Sequence, residues 1–149
     1  MNFIQVGFPN LHVGNYRDTS PADRKYNCIA WAVGIDHQWW DPFEPEDPDV
    51  EYYWPETAPR DYKIDSLIVA YKSDGFICCP DGSIEVGMET IAIYVDGNEY
   101  MHAARQLANG KWTSKIGRKE DIERDTLMDL AGPSFGQVAV FMKRPRPTP

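Results

Sequence analysis

The chain reads as an α+β domain, and three stretches carry that reading. Tyr26 to Gly34 is a short apolar run with helix punctuation at both ends. Asp61 to Asp74 places Ile64, Leu67, Ile68 and Tyr71 at the spacing of one amphipathic helix face. From Phe76 onward the spacing turns to short β-rich runs separated by Gly, Asn, Asp and Pro. Helices first and strands afterwards predict an antiparallel sheet with the helices on it, not alternating βαβ units.

In the first helix, Asn27 is a good N-cap, because its amide oxygen accepts from the free N–H groups of the first turn. Gly34 suits the left-handed position after the last turn. Before it, Phe3 to Phe8 is predicted as extended and Pro9 to Arg24 as loop. After it, five prolines between positions 42 and 59 argue against regular structure. That segment also carries Trp39, Trp40, Tyr52, Tyr53 and Trp54, so it reads as an ordered aromatic loop and not as disordered chain. The rings either wall a pocket or anchor the loop to the body. Phe76–Cys79, Ile91–Val95, Tyr100–Leu107, Lys111–Ile116 and Gln137–Met142 are the predicted strands, and Asp121–Ala131 is a predicted short helix stopped by Gly132-Pro133. Asn109-Gly110 predicts a two-residue hairpin turn, which sets Leu107 opposite Trp112 and Arg105 opposite Ser114.

Composition narrows the class. With 149 residues, 42% hydrophobic and 13% aromatic, the chain is expected to fold as one domain spanning 1–149, with 143–149 as a flexible basic tail. No apolar run approaches the roughly 20 residues of a membrane span, and the N-terminus lacks the pattern of a signal peptide. The cytoplasm is therefore the expected compartment, and no membrane partner is expected. Three cysteines, two of them adjacent as Cys78-Cys79, make no disulfide framework. A net charge of −8 argues against nucleic acid as a partner. Asp41 to Glu56 alone holds seven acidic residues and no basic one.

Cys28 begins the first helix, where free amides and the helix dipole favour a thiolate. A free cysteine also packs well as a small hydrophobe. A nucleophilic thiol needs a base, and His102 is the histidine best placed to serve, since His12 and His37 fall in loops. No metal-ligand spacing joins Cys28, Cys78, Cys79 and His102, so neither a metal nor a cofactor is expected.

The order of a Cys-headed helix, a loop, a second helix and an antiparallel meander resembles the papain-like fold of the NlpC-type cysteine peptidases and amidases. Asn27-Cys28 matches the nucleophile motif of that family, Ile91-Ala92-Ile93-Tyr94 matches the strand after its catalytic histidine, and His102-Ala103 matches its orienting position. Thr90 stands where the family has the catalytic histidine. More closely, Asn27–Ala32, His102–Leu107 and Trp112–Gly117 are similar to a bacterial family known by these motifs and by no activity.

The resemblance implies a cysteine hydrolase or acyltransferase acting on an amide, ester or thioester of a small-molecule or peptide substrate. Cys28 would be the nucleophile and His102 the base, with Asn27, Thr90 and Ser114 supporting them. Trp39, Trp40, Trp54, Arg105 and Lys115 are the candidate substrate-binding residues, the two cations because they can hold a carboxylate or phosphate, unless they are taken up in salt bridges to the acidic loop. The competing expectation is a module that kept the frame without the chemistry and engages a protein or ligand through its aromatic, acidic surface. Glu85 and Glu89 are placed to orient a histidine or to pair with Arg105.

Overall fold

Nine strands and two helices lie among the residues described by the computed structural model, 16–18, 25–115, 121–124 and 136–147. Seven strands make one antiparallel sheet: β1 (Tyr16–Asp18), β4 (Ile77–Cys79), β5 (Met88–Asp96), β6 (Glu99–Gln106), β7 (Trp112–Lys115), β8 (Asp121–Arg124) and β9 (Gln137–Pro145). Their order across the sheet is β1-β8-β7-β6-β5-β9-β4. The fold is thus α+β, with few helices against an antiparallel sheet.

Helix α1 (Cys28–Ala32) packs on β6 and β7. Asn27 caps its start, as its residue type predicts: Oδ1 accepts from Ala30 N at 3.1 Å. At its end Gly34 takes φ +82°, Gly34 N donates to Trp31 O and Ile35 N to Ala30 O, the paired bonds that satisfy the last carbonyls of a helix. Helix α2 (Ile64–Lys72) turns Leu67, Ala70 and Tyr71 inward, and its Tyr71 hydroxyl donates to Ile29 O at 2.9 Å. That bond ties the two helices together under the sheet.

Strand alternation gives the sheet two faces. Ile91, Ile93, Tyr100 and Ala103 belong to the core beneath α1 and α2, together with Ile29, Ala30, Leu67 and Tyr71. Ala92, Tyr94, His102 and Ala104 alternate with them, lie outside that cluster and are all 0% exposed. Both faces of the central strands are therefore buried. The pairing of β5 with β6 starts from a tight turn, with Asp96 opposite Glu99 and Val95 opposite Tyr100. Met101 is then an extra residue, a β-bulge, and His102 falls opposite Tyr94. A ladder running on without the bulge would set His102 opposite Ile93, on the face that carries α1.

Several expectations change here. The Asn109-Gly110 hairpin closes with Leu107 N donating to Lys111 O, so its loop has three residues, with Gly110 at φ +88°. Asn-Gly serves that longer loop as well as the two-residue one, because both need a left-handed residue at its end. The register moves by one: Arg105 faces Thr113 and Gln106 faces Trp112. Ser114 consequently leaves the face of Arg105 and joins that of His102.

Asp121–Arg124 is a strand, not the start of a helix, because both its edges are paired, with β7 and with β1. Tyr16–Asp18, expected within a loop, supplies the second of those partners. Lys143 to Arg146, expected in a flexible tail, belong to the body. β9 runs to Pro145, and Arg146 N donates to Gly87 O. Arg144 bonds Glu89 at 2.6 Å and the carbonyl of Val33 at 3.0 Å. The aromatic loop does contain regular pairing, a parallel ladder of β2 (Trp39–Trp40) with β3 (Tyr52–Tyr53). The Phe3–Phe8 segment, His12 and residues 125–131 lie outside the described residues.

Candidate functional site

The side chain of Asn27 does more than cap. Its Oδ1 also accepts from Trp40 N at 3.1 Å, and its Nδ2 donates to Trp40 O at 2.7 Å. One buried amide thus clamps the backbone of the aromatic segment to the start of α1. Trp39 and Asp41, on either side of the clamped residue, are brought next to Cys28. Across from them, Tyr62 O accepts from Tyr100 N and Asn98 O accepts from Ile64 N, which seats the start of α2 against the β5–β6 turn.

These three attachments enclose a groove of about 330 Å³, walled chiefly by Cys28, Trp39, Asp41, Tyr62, Tyr100 and Met101. Asp41 Oδ1 accepts from Phe43 N and from the Tyr62 hydroxyl, both at 2.9 Å. The Tyr62 ring stands edge-on to that of Tyr100 at 5.8 Å. Burial, then the hydrogen bond and charge of Asp41, push the Tyr62 hydroxyl up to about 12. Tyr100 is likewise shifted well upward, by burial first and then by Asp41, Tyr62 and Cys28. Both phenols are neutral at physiological pH. The Tyr100 hydroxyl is buried and has no hydrogen-bond partner among the described residues.

Cys28 lies at the floor of this groove with its thiol beside the backbone amides of Ala103, Cys28 and Ile29. Burial nonetheless dominates and raises the thiol from 9.0 to about 11, with the charge of Asp41 adding to the rise. The helix-start stabilisation expected from sequence is present, and it is outweighed. At neutral pH this is a thiol, not a thiolate.

His102 and Cys28 are not brought together as a hydrogen-bonded pair. His102 leaves β6 on the side opposite Ala103, which packs toward α1, because the Met101 bulge sets its register. Its Nε2 shares a 2.9 Å hydrogen bond with Ser114 Oγ, and its ring meets Tyr94 edge-on at 5.4 Å. Among the hydrogen bonds of the described residues, none joins it to Cys28. Ser114 therefore supports His102, not the thiol. Thr90 is also remote from Cys28: it pairs across to Lys143 and lines a separate 210 Å³ pocket with Cys79 and Glu85.

Of the candidate binding residues, Trp39 lines the groove and the others do not. Trp40 is 4% exposed and packs on Tyr53 and Tyr71, while Trp54, 5% exposed, donates from Nε1 to Pro59 O. Both belong to the core, Trp40 from within the β2–β3 ladder and Trp54 from the residue that follows it. Arg105 lies 4.9 Å from the Trp31 ring centroid and its Nε donates to Trp31 O, which braces the end of α1. Lys115, 0% exposed, places its ammonium 4.8 Å from the centre of the Tyr26 ring. The two cations secure the helix and leave the groove acidic. Glu85 and Glu89 pair with Lys143 and Arg144, not with Arg105. His37 is exposed beside Asp36.

Residues 17–143 match a family described only as a domain of unknown function, DUF7689. The chain belongs to the DUF7689 family. Neither a curated protein nor a solved structure matches it. In this DUF7689 chain, Ile29, Asp41, Tyr62, Glu99, Tyr100 and Met101 are the groove residues that sequence reasoning missed. Asp41 was visible as the first acid of the aromatic loop. Nothing local in the sequence marks the other five as groove residues. Among the described residues there is no cluster of His, Cys, Asp and Glu fit for a metal, and no helix long and apolar enough to cross a membrane.

Proposed function

We propose that this chain is a binding module on a papain-like frame, and that the groove over Cys28 receives its ligand. A Cys-headed helix laid on an antiparallel sheet supports the likeness to the NlpC-type frame. The observation that carries the functional reading is the division of the expected dyad: the thiol faces the groove, and His102 is held by Ser114 on the other face of β6. A thiol raised to about 11, with no histidine of the described residues bonded to it, lacks both the charge and the base of a cysteine nucleophile. The competing hydrolase or acyltransferase reading rests on the amides of Cys28, Ile29 and Ala103 around the sulfur, which are the donors an oxyanion would use.

Alkylation separates the two. For the binding module, iodoacetamide modification of Cys28 slows about tenfold for each unit the pH drops below 11, and exposed Cys78 reacts faster throughout. Peptide mapping of the labelled protein between pH 6 and 10 reads both sites at once. Modification of Cys28 that stays fast at pH 6 and collapses in His102→Ala would establish the dyad and end the binding-module reading.

A further inference from the structure

The geometry points to a primary ammonium group, carried on an apolar stem, as the ligand of the groove over Cys28. This rests on the binding-module reading and gives it a ligand chemistry. Three features of the groove converge on that class.

The first is charge without a counter-ion. Asp41 lines the groove, and among the described residues no Lys, Arg or His forms a salt bridge with it. Its hydrogen bonds from Phe43 N and Tyr62 hold the carboxylate in place and bring no positive charge to it. Glu99 stands on the same rim, and the chain as a whole carries −8, so the surrounding field draws cations toward the opening.

The second is the unmatched Tyr100 hydroxyl. Tyr100 is 7% exposed, lines the groove and has no hydrogen-bond partner for its oxygen among the described residues. Leaving a buried polar group unmatched costs about 1–3 kcal/mol, so such a group is expected to meet a partner when the site is filled. The phenol stays neutral to high pH and offers lone pairs to a donor. Asp41 is near enough for its charge to act on the Tyr100 phenol, and both residues line the groove. An ammonium has three N–H donors and can serve both.

The third is the wall. Trp39, Tyr62 and Tyr100 supply aromatic surface, which attracts a cation through the ring quadrupole. Ile29 and Met101 supply aliphatic surface for the stem. The volume of about 330 Å³ suits a small ligand or a single side chain. An anion would meet Asp41 and Glu99 and find no cation among the described residues of the lining. A neutral ligand would leave the carboxylate unanswered.

The test uses n-butylammonium chloride at neutral pH, with 1-pentanol as the neutral probe of similar size, followed by NMR of the Trp indole protons. Saturable binding of butylammonium that shifts the Trp39 indole, about tenfold tighter than pentanol, is the expected result. Asp41→Asn keeps the Oδ1 acceptor used by Phe43 and Tyr62, so it should fold normally and weaken butylammonium about tenfold without altering pentanol. Tyr100→Phe removes no existing hydrogen bond and should weaken butylammonium several-fold. Nα-acetyl-lysine amide distinguishes the source: tighter binding than butylammonium assigns a peptide lysine, weaker binding a free amine, and both sustain the ammonium. Pentanol binding as tightly, or an Asp41→Asn protein that binds butylammonium unchanged, overturns the inference. Its failure is distinct from failure of the binding-module reading, which falls only to thiolate-like, His102-dependent alkylation of Cys28.

Discussion

The two faces of β6 hold the residues with the most chemistry and treat them oppositely. Toward α1, the strand sends Ala103 into the core and Tyr100 to a groove that opens to solvent, with an acidic rim and a thiol in its lining. On the other face it sends His102 and Ala104 into a sealed layer where both are 0% exposed. A cysteine and a histidine that look like partners in sequence are thereby given different work. The thiol borders a place where a ligand can sit. The imidazole cross-braces β6 and β7 beyond Arg105 and Thr113, the last pair in their ladder.

The largest effect is expected at the clamp that builds the open face. Asn27→Ala removes the helix cap and both hydrogen bonds to Trp40, leaving buried backbone groups unmatched. A loss of about 2–4 kcal/mol in chemical denaturation follows, together with loss of groove binding. An unchanged midpoint would mean that the aromatic segment is held by packing alone.

On the sealed face the expected effect is smaller. Ser114→Ala takes away the hydroxyl shared with His102 and should cost about 1–2 kcal/mol. It should leave the alkylation profile of Cys28 as it was. A profile that moved with Ser114 would join the two faces into one site and undo the contrast drawn between them.

The smallest effect is a pH dependence. Folding raises the Cys28 thiol from 9.0 to about 11, so the folded state holds its proton where the unfolded chain has released it. Stability tied to this group is complete below about pH 9 and is lost as pH rises toward 11. Cys28→Ala should therefore lose less melting temperature than the native chain between pH 8.5 and pH 10.5, as measured by calorimetry at about those two values. Equal losses would place the thiol in water.

The parts that sequence revealed are those governed by near neighbours. Asn27 and Gly34 bound α1 through bonds spanning a few residues, and the apolar face of α2 follows from helical spacing alone. What sequence concealed depends on counts of residues in turns and bulges. Asn109-Gly110 marks a hairpin but suits loops of two lengths, and the difference of one residue moved Ser114 across the sheet. Met101 carries no signature of a bulge, yet it decides where His102 points. Asp121–Arg124 became a strand because two distant partners lay ready to pair with it, which no local propensity records. The groove itself joins Cys28 to Tyr100, residues far apart in the chain, through the contacts of Tyr62 and Asn98.

The Asn27 clamp has a consequence for how fast the groove can respond. The amide and carbonyl of Trp40 are fastened to the same side chain that nucleates α1, so the wall bearing Trp39 and Asp41 cannot swing aside unless the helix start frays with it. A visitor to the groove meets a mould already set. Little ordering is left to be done on arrival, so association should proceed in a single step. The Trp40 amide proton, in turn, should be exchanged for deuterium only when that whole corner of the protein opens.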